Sequence, residues 1–137
     1  EETAAEYSLL GLSPGHHAVE LFRDVLEEAG AVLCDQLGGL PRNLVVKVGG
    51  LVVCEQAPPT AKGHVFLTLE DETGLANIVL RPQVYQRFRG VLHTDQMVLV
   101  AGLLQREDGV TNLMARKVSS LHQAAVDAVA AKRPHRR

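Results

Sequence analysis

The sequence predicts a mainly β domain: a five-stranded barrel with one helix between its third and fourth strands, preceded by an N-terminal helical segment. Three observations carry this. The apolar period changes from helical to strand-like at Leu44. Five strand-like runs follow, separated by Pro, Gly and acidic turns. Between the third and fourth runs, Pro82 opens a stretch at helical spacing.

The helical segment comes first. Ser13 and Pro14 suit the N-cap and first-turn positions, and Leu21, Phe22, Val25, Leu26 and Ala29 recur on one face. Gly30 suits a C-terminal stop, which places a helix near 16–29. The stretch from Val32 to Leu37 has room for one more turn before Gly38-Gly39, and Pro41 closes this part.

Leu44 to Cys54 is dense in β-branched residues and is interrupted by Gly49-Gly50, paired glycines that suggest a sharp coil or bulge. Pro58-Pro59 ends this strand, and Thr60 to Gly63 forms a loop. His64 to Leu69 is the second strand, Glu70 to Gly74 an acidic turn, and Leu75 to Leu80 the third strand. The helix follows over about 83–92, with Val84, Phe88, Val91 and Leu92 inward. Gln96 to Leu104 is the fourth strand, Glu107-Asp108-Gly109 a hairpin turn and Val110 to Val118 the fifth strand. Beyond Ser119 the pattern weakens to a frayed helix over Ala124–Ala131 and a disordered basic end. Three strands, a helix and two strands make the OB plan. An SH3-like barrel is the alternative, and the helix argues against it. The expected domains are a helical linker over 1–43, the OB-fold domain over 44–118 and a basic tail over 119–137.

At 137 residues the chain suits one core rather than two domains, and 46% hydrophobic with 22% charged residues is a soluble globular balance. No apolar run approaches the ~20 residues of a membrane helix. The acidic start Glu1-Glu2-Thr3 does not read as a signal peptide, and the absence of a starting Met reads as a piece of a longer protein. Cys34 and Cys54 form no metal-type spacing and read as two buried, reduced thiols of a cytoplasmic protein. The six scattered histidines suggest no metal site. Residues 1–43 hold eight acids and two bases, a balance of −6; residues 44–137 hold eight acids and twelve bases, a balance of +4. Four of those bases, Lys132, Arg133, Arg136 and Arg137, lie in the tail, so 44–118 carries only +1. Charge alone does not make this a nucleic-acid binder.

Strand alternation separates Val65, Leu67 and Leu69 from His64, Phe66 and Thr68. The aliphatic set is the natural core. That leaves Phe66 either towards a groove, where a base can stack, or in a second core layer. Asn77 falls opposite Ala76 and Ile78 in parity, as a base contact or a solvated amide. Lys62 stands in a Gly-bounded loop within reach of a phosphate, and Arg81 and Arg106 lie at strand ends where they would flank such a groove. Each has a bland alternative as a solvated surface cation. The acids at 70–72 would repel phosphate and are expected to cap their turn, facing away from a ligand. No clustered carboxylates, nucleophile triad or phosphate loop appears, so the chain by itself is not expected to be an enzyme.

The block from Thr60-Ala61-Lys62-Gly63 through Leu69-Glu70-Asp71-Glu72-Thr73-Gly74 to Asn77-Ile78-Val79 resembles the OB-domain signature of C-family bacterial replicative DNA polymerases, in particular the C-terminal OB domain of the error-prone branch (ImuC type, related to the DNA polymerase III alpha subunit). Pro82 to Tyr85, Phe88-Arg89 and Gly102 to Gly109 extend it, and Gly11 to His16 resembles the segment that precedes that domain; the likeness covers about 6–118. The Leu-Glu-Asp-Glu-Thr-Gly core also resembles the anticodon-binding domain of aspartyl-tRNA synthetases.

The polymerase resemblance implies a module that binds single-stranded DNA template in translesion synthesis during bacterial DNA repair, in the cytoplasm, without a cofactor. It implies a polymerase as the parent, with proteins of the ImuA and ImuB type and the sliding clamp as partners reached through that parent. The binding set it implies is Lys62, Phe66, Asn77, Arg81, Arg106 and Asn112. The sequence departs from the family at four sites, one of them a tripeptide. Glu55, Gln56 and Ala57 stand where it has Arg-Gln-Arg, Arg81 where it often has Trp, Leu103 where an Arg is usual and Asn112 where a His is common. The lost bases favour a rival reading, a protein-interaction module with reduced DNA binding. A tRNA-binding domain is a third reading.

Overall fold

The structure, a computed structural model, describes residues 16–132. The expected cap at Ser13-Pro14 and the bases Arg133, Arg136 and Arg137 lie outside the described residues. Helix α1 (His16–Glu28) and a 3₁₀ turn (Cys34–Gly39) lead into strands β1 (Val45–Gln56), β2 (Val65–Glu70) and β3 (Leu75–Leu80). Helix α2 (Pro82–Thr94), strands β4 (Met97–Glu107) and β5 (Val110–Ser120) and helix α3 (Leu121–Lys132) complete the chain. The five strands close into a barrel in the order β1-β2-β3-β5-β4, the OB-fold arrangement. All pairs are antiparallel except β3 with β5.

One strand serves two partners. β1 pairs with β4 from Val45 to Leu51 and with β2 from Leu51 to Gln56, so Leu51 faces both Met97 and Glu70. The register shift expected at the paired glycines lies further on, between Val52 and Cys54. The glycines serve close approach instead. A Cβ at Gly50 would stand 2.4 Å from the Glu70 carbonyl oxygen, and one at Gly49 2.6 Å from Leu26 Cδ2. At Gly50, where the close neighbour is backbone, only a residue without a side chain fits.

Inside, alternation builds the core. Val46, Val48, Leu67, Leu69, Ile78, Leu80, Val98, Val100, Leu104 and Leu113 are buried. Helix α2 lays Val84, Tyr85, Phe88, Val91 and Leu92 against this core, with Pro82 in its first turn, where the missing N–H costs nothing. Cys34 and Leu37 of the 3₁₀ turn join the same core. Cys34 is buried as expected, but Cys54 is exposed on β1, a correction that follows from its outward parity opposite Thr68.

The acidic turn is built by its own side chains. Asp71 Oδ1 accepts from the Thr73 and Gly74 N–H groups at 2.8 and 3.1 Å and from the Thr73 hydroxyl at 2.7 Å, while Oδ2 accepts from Cys34 N–H at 2.8 Å. Burial alone would raise the Asp71 pKa, but these hydrogen bonds hold it below its ordinary value. Burial, with the Asp71 charge beside it, pushes the Cys34 thiol up to about 12. Glu72 pairs bidentately with Arg23 of α1 at 2.6 and 3.0 Å.

Outside the barrel, α1 and α3 form a second, smaller core. Val25, Leu26 and Leu121 are buried there against Met97, Leu99 and Ala124. None of the described helices is long and apolar enough to cross a membrane.

Candidate nucleic-acid interface

The outer wall of β2, β3 and β5 carries side chains in rows. Val65, Leu67 and Leu69 point inward and are at most 3% exposed, so Phe66 must point out, and it is 38% exposed. Its cross-strand neighbour is Val79, followed by Met114 on β5, Leu103 on β4 and Val45 at the start of β1. Four pairings thus set five apolar side chains end to end around the outside of the barrel. Val79, only 8% exposed, is the floor between its neighbours, and Phe66 and Val45 stand proud at the two ends.

A polar row lies beside this belt. Thr68 pairs with Asn77, and Asn112 pairs with Gln105. The parallel register of Ile78 with Leu113 brings Asn77 and Asn112 side by side one residue earlier. Asn77 is exposed and Asn112 half-buried. Their amide groups offer donors and acceptors next to the apolar belt.

Cations lie on the belt's other side. Lys62 is exposed in the left-handed conformation (φ 56°) at the end of a short 3₁₀ turn, Pro59–Ala61. Arg81 is exposed at the N-cap of α2, immediately after β3. Val65 pairs with Leu80, so both cations belong to the Phe66 end of the β2–β3 hairpin. The acids gather at the opposite end. β5 runs parallel to β3, so the 70–74 turn and the 107–110 turn share one end of the barrel. Five of the seven acids in 44–118 are in or beside those turns: Glu70, Asp71, Glu72, Glu107 and Asp108. A net charge of +1 therefore hides a polarised wall: acids, amides, apolar belt, cations.

Arg106 is not on this wall. It shares the inward parity of Leu104 and faces Thr111, whose hydroxyl accepts from its Nε at 3.0 Å. Its Nη2 donates to the carbonyls of Leu37, Gly38 and Leu40 at 3.1, 3.1 and 2.9 Å. These bonds tie the 3₁₀ turn to the end of the barrel, so a guanidinium expected to flank the groove instead closes the barrel mouth. Glu55, in a position where the resemblance leads one to expect Arg, turns towards α2, and its carboxylate accepts from the Tyr85 hydroxyl at 3.2 Å. Gln56 is the β1 residue paired with Phe66.

A closed five-stranded barrel with a helix between β3 and β4 is the OB fold. The family description "OB-fold nucleic acid binding domain", of the tRNA anticodon type, matches residues 45–121. The chain belongs to this family. Over 121 residues the OB domain and its flanks are 40% identical to the error-prone DNA polymerase of Anaeromyxobacter dehalogenans, covering 88% of this chain and 11% of that protein. Identity to the error-prone DNA polymerase of Cutibacterium acnes is 39% over 112 residues, covering 81% and 10%. The chain thus spans about a tenth of the curated relatives it matches. Among solved structures, asparaginyl-tRNA synthetase from Pyrococcus horikoshii aligns with a TM-score of 0.54 at 20% identity, over 65% of this chain and 22% of that one, a likeness of fold.

Parity reasoning from sequence put Asn77 opposite the core face and left Phe66 between a groove and a second core layer; the structure has Phe66 38% exposed. That reasoning missed Met114, Arg116 and Lys117, which share the outer wall of β5. The one sequence signal was the adjacent pair Arg116-Lys117, which breaks alternation in an otherwise regular strand.

Proposed function

We propose that this OB domain binds single-stranded DNA and is the template-binding module of an error-prone, translesion DNA polymerase that works in bacterial DNA repair in the cytoplasm. The observation that carries this reading is the outward Phe66, with an apolar belt running from it, amides on one side and Lys62 and Arg81 on the other. A base stacks on Phe66, phosphates meet the two cations, and Asn77 and Asn112 reach base edges. The acids at the far end keep the sugar-phosphate backbone on the cationic side. Identity to error-prone DNA polymerases supports the parent activity and, through it, partners of the ImuA and ImuB type and the sliding clamp. The domain contributes no chemistry of its own; it holds the strand.

With few phosphates neutralised, binding is weak and salt-sensitive. Fluorescence anisotropy of labelled oligothymidine at low and at physiological salt tests this. Binding that fades between the two supports the reading, and no binding at low salt overturns it. A second reading, docking of a protein partner, is favoured by Leu75 and Val110, more than half exposed near the acidic end. It predicts that Leu75→Ala leaves oligothymidine binding unchanged and weakens a protein complex.

A further inference from the structure

The polarised wall continues past β3, and β5 changes character where it does. β4 and β5 pair regularly from Glu107–Val110 back to Gly102–Ala115, and then the register shifts, with Ala101 opposite Lys117. The extra residue is Arg116. Ala115 and Val118 on either side are fully buried or nearly so, and both Arg116 and Lys117 between them are exposed. In a regular strand one of two consecutive side chains points into the barrel; the bulge turns both outward. Gly102 makes it possible, because a Cβ there would stand 2.2 Å from the Met114 carbonyl oxygen.

Neither cation is used by the fold. Among the described residues, Arg116 and Lys117 make no ion pair and no hydrogen bond. Arg106 is engaged through Nε and Nη2 by a hydroxyl and three carbonyls, and Lys47, in the row of Lys117 through Ala101, donates to the Ala29 carbonyl at 3.1 Å. Met114, two residues before the bulge, belongs to the apolar belt that starts at Phe66. Past the last pairing, Val79–Met114, the two strands run towards the same end of the barrel, so Arg116 follows Met114 towards the end where Arg81 lies.

We infer that β5 is a second half of the binding site: a single strand that stacks a base on Phe66 continues across β3, seating a further base on Met114 and Leu103 and its phosphates against Arg116 and Lys117. This rests on the single-strand reading above and extends its footprint. Phe66 to Leu103 spans three strand spacings, roughly 14 Å, room for about four bases at a stacked rise of ~3.4 Å. Lys62, Arg81, Arg116 and Lys117 lie on one side of the belt and five of the seven acids of 44–118 on the other, which favours a polyanion on the cationic side.

The test uses the whole chain, with oligothymidines of about two and about twelve nucleotides and three proteins: wild type, Phe66→Ala and the double variant Arg116→Gln/Lys117→Gln. Both glutamines sit at exposed positions, and a melting curve confirms folding. The expected result is that the double variant binds the long oligonucleotide on the order of 10-fold more weakly at low salt. The slope of log affinity against log salt should flatten by about 1.4, two phosphates at ~0.7 each for single strands. The short oligonucleotide, held at Phe66, should change little. If Phe66→Ala weakens binding and the double variant leaves affinity and slope unchanged, the β5 extension is wrong and the single-strand reading stands. If wild type binds neither oligonucleotide, both fail. If polyglutamate competes as well as oligothymidine, the cations serve an acidic protein segment and the extension is overturned.

Discussion

The barrel's outer surface has two walls that differ in what covers them. On the β1–β4 wall, Gly49, Met97 and Leu99 lie under α1 and α3, with Leu26 and Leu121 buried between. On the β2–β3–β5 wall no helix is packed over Phe66 and Asn77, which are exposed, and Met114 and Asn112 beside them are half-buried. Both are the outside of the same strands, with the same alternation. The difference teaches that an outward apolar residue in a small barrel is ambiguous until its cover is known: on one wall it is core, on the other it is available to a ligand.

The largest effect separates the two walls. Leu26→Ala removes a buried side chain from the covered wall and should cost about 2–5 kcal/mol of stability, read by chemical denaturation. Oligothymidine affinity per folded molecule should stay the same; a fall would mean that α1 belongs to the site.

Next comes the contrast between cations. Arg106→Ala leaves three carbonyls at the barrel mouth without their donor and should cost roughly 1–3 kcal/mol of stability. It should not alter the salt slope of binding, whereas neutralising Lys62 or Arg81 should flatten that slope by about 0.7 each with little change in melting temperature. The opposite pattern would return Arg106 to the interface.

On the bare wall, Phe66→Ala should weaken single-strand binding by about 1–3 kcal/mol and cost only about 1 kcal/mol of stability, well short of the roughly 3–5 of a buried aromatic. A large stability loss with unchanged binding would make Phe66 part of the packing and strengthen the protein-docking reading.

The smallest effect concerns pH. Folding lowers the Asp71 pKa from its ordinary 3.8, so its contribution to stability is present above that value and is lost as pH falls through the lower, folded one. Asp71→Asn should cost about 1–2 kcal/mol at neutral pH and flatten the acid limb of the stability profile, measured by denaturation from pH 6 downward to about pH 2. An unchanged acid limb would assign the loss to other carboxylates.

Much of this was legible along the chain. The change of period at Leu44, the turn residues and the helix after Pro82 depend on neighbours within a few residues, so strand order and helix placement could be read before any contact was known. Parity within β2 likewise separated Val65, Leu67 and Leu69 from His64, Phe66 and Thr68, because alternation is a local property of an extended backbone, while the cover over Phe66 was left open. Three things were beyond reach. Arg106 and Arg81 both read as strand-end cations, and only the position of the 3₁₀ turn 66 to 69 residues away in sequence made one a structural clasp and left the other exposed. The bulge at Arg116 depends on how β5 meets β4, and the charge polarity of the wall depends on β3 and β5 running parallel, which brings two acidic turns to one end. Local sequence determined which side chains alternate; tertiary pairing decided which of them meet, because register and cover are set by partners distant in the chain.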